Sequence, residues 1–181
     1  NNIIIVGGMA NNILKYKGCE IGKSIKEENC DQIIKQLFEM SERENCKILF
    51  PVDVAVGKNV DGISEIKNIN KVLKNELILD IGPKTIKIIN DIIESSNTVL
   101  WNGPAGYFEN PNFAEGSYEI AKKIVEKNKK NSIYSVAGGG DTVALLNNIG
   151  VFNNFDFVST AGGAFLEYLE GKELPGIKAL N

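Results

Sequence analysis

Three consecutive glycines, followed by an acidic and a hydroxyl side chain, form the stretch of the sequence best suited to chemistry. These residues are Gly138, Gly139, Gly140, Asp141 and Thr142. One apolar run precedes them and another follows, which predicts a buried strand, a turn and a helix. Backbone N–H groups in such a turn converge at the positive end of the helix, so we expect the loop to bind a phosphate group.

Asp141 places a carboxylate in this loop, and Thr142 places a hydroxyl beside it. A carboxylate repels phosphate oxygens unless a cation lies between them, so the pattern indicates Asp141 as a Mg²⁺ ligand, directly or through water. A second interpretation stays open at this point. In it, Asp141 simply caps the helix after an ordinary glycine turn.

Three further glycine turns follow predicted strands, at residues 7–8, 103–106 and 162–163. The carboxyl ends of parallel strands meet at one edge of a sheet, and ligands bind in the crevice at that edge. We therefore expect all four loops to contribute to one site for a phosphorylated ligand.

Apolar runs that fit strands alternate with apolar repeats that fit helices along the chain. Strands are predicted at 3–6, 47–50, 77–80, 99–101, 133–137 and 157–160, with 54–56 as a possible continuation of the second. Helices are predicted at 9–14, 30–38, from 85, around 120–125 and at 164–169. Residues 57–76 are predicted as a long loop and the segment from 174 as an irregular tail. This alternation predicts an α/β fold with a doubly wound, mostly parallel sheet and helices on both faces, a Rossmann-like three-layer domain.

Composition excludes several classes of site. The 181 residues include no histidine, which removes histidine-based nucleophile systems and most catalytic zinc sites. The three cysteines have no CxxC pair, which is typical of buried thiols in a reducing compartment. A net charge of −3 argues against nucleic-acid and anionic-membrane partners. The cluster Lys127, Lys129 and Lys130 is interpreted as a solvated helix end. With no long apolar run or charged leader, a cytoplasmic protein is expected.

Two familiar nucleotide motifs can be tested against the sequence. A dinucleotide fingerprint starting at Gly138 would need a small residue where Val143 stands, and an acidic residue about 20 positions later, where Ser159 and Thr160 stand. A P-loop ending at Ser24 would need a glycine where Lys17 stands. Both motifs are therefore disfavoured.

Several short motifs, in register along essentially the whole chain, resemble the phosphoglycerate kinase family. They lie at residues 6–10, 20–22, 51–53, 80–83, 101–104, 108–109, 138–142, 159–163 and 169–176. The resemblance implies that 1–181 is the C-terminal nucleotide-binding domain of such an enzyme. It also implies that the chain lacks the first segment of that domain and the N-terminal phosphoglycerate-binding domain.

The resemblance also assigns roles to individual residues. Residues 138–142 would form the nucleotide phosphate loop, with Asp141 on the metal. The ribose hydroxyls would be bound by Glu109, which the residues alone would leave as an ordinary surface carboxylate. The remaining nucleotide contacts would come from Gly7 and Gly8 at the adenine and from Asn102, Gly103 and Pro104 in the cleft. Gly162 and Gly163, in the 159–163 segment, would direct backbone amides at the transferred phosphoryl group.

The implied substrates are MgADP and MgATP, and the implied reaction of the intact enzyme transfers a phosphoryl group between 1,3-bisphosphoglycerate and ADP. The intact enzyme would be a monomer, and this chain alone would be inactive. The chain departs from the family pattern at Val6, Tyr107 and Ala161. A non-catalytic nucleotide-binding module and, less favoured, a dinucleotide-dependent oxidoreductase domain stay open as alternatives.

Overall fold

The computed structural model describes residues 1–180 and divides into two compact units. Unit 1 comprises residues 1–92 and 104–120, and unit 2 comprises residues 93–103 and 121–181. Two helices contribute residues to both units. In chain order the helices and strands are β1 (Asn2–Ile4), α1 (Gly7–Tyr16), α2 (Asp31–Arg43), β2 (Lys47–Leu49), β3 (Asp53–Gly57), β4 (Glu65–Asn68), β5 (Leu77–Ile81), α3 (Pro83–Ser95), β6 (Thr98–Asn102), α4 (Glu115–Asn128), β7 (Tyr134–Gly138), α5 (Gly140–Asn148), β8 (Phe157–Ser159), α6 (Gly163–Leu169) and α7 (Pro175–Lys178).

Unit 1 contains a parallel pair of strands and a three-stranded antiparallel sheet. β1 pairs with β2 in the parallel sense, and β3 lies between β4 and β5 with antiparallel pairing on both sides. An apolar cluster joins the first pair to its helices and contains Ile5, Ala10, Ile13 and Ile34. Within α2, Ile34 is buried in this cluster, and Leu37 and Phe38 pack against it, whereas Ile33 is exposed.

The path of the chain after β2 differs from the sequence-based expectation in two respects. Residues 54–56 do not continue the strand at 47–50, because β3 is a separate strand that is buried along its whole length. Pro51, which has no backbone N–H, lies between the two strands. The segment 57–76, predicted as a loop, includes β4 and a 3₁₀ turn at Ile69–Lys71. Only tertiary pairing with β3 makes the polar sequence of β4 a strand.

Unit 2 is organised on a parallel sheet in the order β6-β7-β8. The register places Asn102 beside Gly138 and Gly138 beside Ser159, so the three strands end together. Leu145 and Leu146 of α5 are fully buried. Trp101 and Phe155 pack with ring centroids 6.3 Å apart. The loops that leave these three strands are therefore held at one edge of a rigid sheet.

The predicted α/β class, with mostly parallel strands and flanking helices, is confirmed. Three of the five strand pairings among residues 1–180 are parallel. The tail predicted to be irregular contains the short helix α7. Among the residues that the structure describes, no helix combines the length and the apolar character that a membrane crossing requires.

Lys127 is not part of a solvated helix end, in contrast to the prediction. Its side chain is buried, and its ammonium group donates to the carbonyl of Ser96, at 3.1 Å, and to that of Glu94. These carbonyls lie at the C-terminal end of α3, where backbone acceptors lack partners within the helix. Lys127 therefore provides hydrogen-bond donors for two carbonyl groups at the C-terminal end of a neighbouring helix.

Candidate functional site

The glycine loop connects the end of β7 to the start of α5, as predicted. Gly139 is the N-cap of α5, with φ 89° and ψ 141°, and Asp141 lies in the first helical turn. The interpretation of Asp141 as the cap is therefore wrong. The first N–H groups of a helix have no partner inside it, and this helix end carries no capping side chain. Its donors are available to an anion.

The three glycines serve three different purposes. A Cβ at Gly138 would lie 2.5 Å from the ring of Phe165, so this glycine allows α6 to pack directly on the sheet. A Cβ at Gly139 would lie 2.7 Å from Oδ1 of Asn102, and its positive φ also disfavours other residues. Gly140 has no atom within 4 Å of such a Cβ and faces solvent. The open approach to the loop is therefore on the side of Gly140.

Thr142 connects this loop to the loop after β6. Its side chain is fully buried, and its hydroxyl accepts the backbone N–H of Gly103 at 2.7 Å. On the other side of Gly103, the carbonyl accepts the indole N–H of Trp101 at 2.8 Å. Sequence reasoning grouped Thr142 with potential ligands, whereas the structure shows its hydroxyl holding Gly103. The one sequence signal for this structural role is the position of a threonine in the first turn of a helix, next to an apolar run.

The loop after β8 lies beside the glycine loop, because Ser159 is paired with Gly138. Gly162 is the N-cap of α6 with φ 58°, and neither Gly162 nor Gly163 has an atom within 4 Å of an added Cβ. Within unit 2, the structure therefore brings together Asn102, Gly103, the 138–142 loop and the 159–163 loop at one edge of the sheet.

The other predicted site residues lie in unit 1. Gly7 begins α1 after the extended residue Val6, and a Cβ there would lie 3.0 Å from the carbonyl oxygen of Pro104. Gly8 is exposed with open space around it. Glu109 is an exposed carboxylate that follows the buried ring of Phe108. Gly7 and Pro104 are thus brought together, and the joining of all four loops in one site stays a prediction.

Asp141 is an exposed carboxylate next to the donor end of α5. Among residues 1–180, no group of three or more histidine, cysteine and acidic side chains could hold a metal ion. Mg²⁺ commonly binds through one or two carboxylates together with phosphate oxygens and water. A single carboxylate such as that of Asp141 therefore suits a cation that is bound together with a phosphate group.

Asp53 in the 51–53 motif and Gly82 in the 80–83 motif form a buried structural contact for which the sequence suggested no role. The Asp53 carboxylate accepts the backbone N–H of Lys84 at 3.0 Å and that of Thr85 at 2.8 Å. The Thr85 hydroxyl lies 2.7 Å from the same carboxylate. A side chain on Gly82 would overlap Asp53. Asp53 therefore caps α3 from a different strand.

The family model described as PGK, phosphoglycerate kinase, matches residues 1–172. Curated relatives carry the same name: the chain is 46% identical over 182 residues to phosphoglycerate kinase of Zymomonas mobilis. It is 43% identical over 180 residues to that of Azorhizobium caulinodans. The alignments cover 99% and 98% of this chain, and each covers 46% of the relative.

Solved structures agree with these matches. Phosphoglycerate kinase from Coxiella burnetii superposes with a TM-score of 0.90 at 40% identity, over 99% of this chain and 46% of that one. The enzyme from Pyrococcus horikoshii superposes with a TM-score of 0.73 at 28% identity, over 98% and 44%. The chain therefore spans about half the length of the relatives it matches.

Proposed function

The chain belongs to the phosphoglycerate kinase family, and we propose that it is the nucleotide-binding domain of such an enzyme, binding MgADP and MgATP. The observation that carries the proposal is the start of α5. There, Gly139 leaves the first-turn N–H groups open, and Asp141 places a carboxylate beside them. A nucleotide phosphate with its Mg²⁺ matches both features.

In this proposal the loop 138–142 binds the nucleotide phosphates through backbone N–H groups, and Asp141 binds the Mg²⁺ that accompanies them. Thr142 holds Gly103 in position through its buried hydroxyl. Gly162 and Gly163 direct backbone N–H groups at the transferred phosphoryl. Phosphoryl transfer depends mainly on positioning and on neutralising charge on the phosphoryl oxygens, and these are the groups that this chain supplies.

The remaining part of the proposed site binds the nucleoside. Gly7 and Gly8 lie against the adenine, and Glu109 accepts hydrogen bonds from the ribose hydroxyls. Asn102, Gly103 and Pro104 shape the cleft between them. The close approach of Gly7 to the carbonyl of Pro104 supports this grouping. Glu109 is exposed, so its carboxylate is accessible to a ligand.

The whole enzyme, in this proposal, transfers a phosphoryl group between 1,3-bisphosphoglycerate and ADP, forming 3-phosphoglycerate and ATP. A second domain of the same monomeric, cytoplasmic enzyme binds the phosphoglycerate. This chain has one arginine and no histidine, so in this proposal the arginine and histidine side chains that bind an anionic second substrate come from that domain. This chain alone binds nucleotide and does not turn over.

Calorimetry of this chain with ADP, with and without Mg²⁺, tests the proposal. We expect Mg²⁺ to strengthen ADP binding and Asp141→Ala to remove most of that gain, weakening binding about tenfold, because a carboxylate to metal contact is lost. Asp91→Ala is the control, since Asp91 is an exposed aspartate of α3 paired with Lys87.

The possible results separate the candidate functions. A folded wild-type chain that does not bind ADP contradicts the proposal for this chain. Binding without any gain in turnover, when a phosphoglycerate-binding domain of a relative is added, favours the non-catalytic module. Turnover by the purified chain contradicts the expectation that it is inactive alone.

A further inference from the structure

Asp80, near the end of β5, is a buried carboxyl group outside the residues assigned above. Only 2% of its surface is exposed. One carboxyl oxygen lies 2.8 Å from the backbone N–H of Ile81, and the other lies 2.8 Å from the backbone N–H of Gly116 in the first turn of α4. The acid therefore joins the end of a strand to the start of a helix.

Two glycines pack directly on this carboxyl group. A Cβ at Gly106 would lie 2.5 Å from Cγ and from Oδ1 of Asp80, and a Cβ at Gly116 would overlap Oδ1. Neither position leaves room for a side chain, and the carbonyl oxygen of Leu79 at Gly106 and the side chain of Ile81 at Gly116 close the remaining space at 2.5 Å. The turn that contains Gly106 and the start of α4 are therefore both shaped around Asp80.

Further hydrogen bonds connect the same turn to β5 and α4. Tyr107 donates its backbone N–H to the carbonyl of Leu79 at 2.7 Å, and Ala105 donates its backbone N–H to the buried hydroxyl of Ser117 at 2.9 Å. Ala105 is itself buried. Residues 105–107 are thus held on one side by β5 and on the other by α4, with Asp80 between them.

Two of the proposed nucleotide contacts lie on either side of this turn. Pro104 immediately precedes it and presents its carbonyl to Gly7. Glu109 follows it, in a turn closed by a hydrogen bond from the Asn110 N–H to the Tyr107 carbonyl at 3.2 Å. Displacing residues 105–107 would therefore displace both the cleft residue Pro104 and the proposed ribose carboxylate.

We propose that Asp80 is a positioning residue of the nucleotide site: its carboxyl group sets the conformation of residues 104–109 by fixing the start of α4 through the N–H of Gly116 and by packing against Gly106. The expected effect of Asp80 on nucleotide binding rests on the proposed function. The expected effect of Asp80 on the conformation of the turn rests on the structure alone. Asp80 itself does not contact the nucleotide in this proposal.

Burial raises the pKa of the Asp80 carboxyl group from 3.8 to about 7, because the desolvation cost exceeds the effect of the two N–H donors, and Glu115 adds repulsion. The neighbouring elements carry further ionisable side chains, which are Asp53 on β3, Lys15 and Tyr16 on α1, Tyr107 and Glu109 near the turn, and Glu115, Tyr118 and Glu119 in the first turns of α4. The folded chain therefore takes up a proton on Asp80 as pH falls through about 7, while the unfolded chain does so near 3.8. Its contribution favours the folded state at low pH and is lost as pH rises from about 4 to about 7.

The first test uses this titration in the wild-type chain, without a substitution. We expect the amide NMR signals of Ile81, Gly116 and Tyr107 to shift together with a midpoint near pH 7, and the shifts to be absent in Asp80→Asn. Tyr107 is the informative signal, because its N–H bonds to Leu79 and not to the carboxyl group. A Tyr107 signal that does not follow Asp80 overturns the inference.

The second test compares Asp80→Asn with Asp53→Asn, a matched buried carboxylate that holds α3 instead. The asparagine side chain keeps one carbonyl oxygen as an acceptor, but its NH₂ group is a donor and cannot accept the second backbone N–H. We expect Asp80→Asn to speed hydrogen exchange at Ala105, Tyr107 and Gly116 about tenfold and to weaken MgADP binding about tenfold. Asp53→Asn is expected to speed exchange at Lys84 and Thr85 and to leave the affinity of the folded chain unchanged.

The outcomes distinguish this inference from the proposed function. Unchanged exchange at Ala105 and Tyr107 in Asp80→Asn overturns the inference, whatever happens to binding. Faster exchange with unchanged MgADP affinity overturns it as well. If the wild-type chain does not bind MgADP, the proposed function fails for this chain, and the exchange and titration data alone decide whether Asp80 sets the turn. Should Asp80→Asn fail to fold, the wild-type titration decides it.

Discussion

Replacing Gly139 with alanine is expected to damage both the folding of unit 2 and the proposed phosphate loop. A non-glycine residue at φ 89° and ψ 141° costs about 1–3 kcal/mol, because essentially only glycine adopts this backbone conformation. The new Cβ would also lie 2.7 Å from Oδ1 of Asn102 and would have to displace that side chain. We expect the free energy of unfolding to fall by about 2 kcal/mol. MgADP binding should weaken at least tenfold, because the first-turn N–H groups of α5 change direction.

Gly140→Ala is the matched control for the effect of this change on stability. Gly140 is the first residue of α5 and has open space where a Cβ would be placed. Alanine favours a helix more than glycine does, so we expect the free energy of unfolding to stay the same or to rise by about 0.5 kcal/mol. Chemical denaturation of both variants compares their stability, and calorimetry of Gly139→Ala measures the loss of MgADP binding. Equal effects at the two positions would show that the geometry of Gly139 has no special importance.

Replacing Asp53 with alanine is expected to destabilise the chain far more than replacing an exposed aspartate does. It leaves the N–H groups of Lys84 and Thr85 without their acceptor and removes a buried partner of the Thr85 hydroxyl. An unsatisfied buried donor costs about 1–3 kcal/mol, and loss of a helix cap costs about 1 kcal/mol. We expect the free energy of unfolding to fall by about 3 kcal/mol, measured by urea denaturation.

The control for Asp53 is Asp91→Ala on the exposed side of α3. Asp91 pairs with Lys87 at 2.8 Å, but both side chains are mostly exposed, and such a pair contributes about 0.3–0.5 kcal/mol. Asp53→Asn, which keeps one acceptor, should fall between the two alanine variants. If Asp53→Ala is no more destabilising than Asp91→Ala, the buried carboxylate does not cap α3 in solution.

The candidate site could be predicted largely because its signal is local. Gly139 and Gly140 interrupt an apolar run immediately before a helical pattern, and that combination alone predicts a strand, an open turn and a helix N-terminus. The structure confirms this arrangement at α5. The role of Asp141 as a metal ligand remains a prediction, because no metal cluster defines it within the described residues.

The functions of buried polar residues could not be predicted in the same way. Lys127 and Thr142 have the sequence context of a solvated lysine and of a ligand-binding hydroxyl. Their partners, the carbonyls of Glu94 and Ser96 and the N–H of Gly103, lie 31 to 39 positions away in the chain. No periodicity encodes such a pairing, because it depends on how the elements pack.

Hydrophobic period and glycine placement act over a few residues, so the fold class, the order of most strands and helices, and the glycine turn at α5 follow from the amino-acid sequence alone. Three other features required the folded chain: β3 is separate from β2, β4 is a strand, and Asp53 and Asp80 hold helices that begin elsewhere in the chain. All three have one cause. A strand edge or a buried carboxylate needs a partner, and the identity of that partner depends on which distant segments burial brings together.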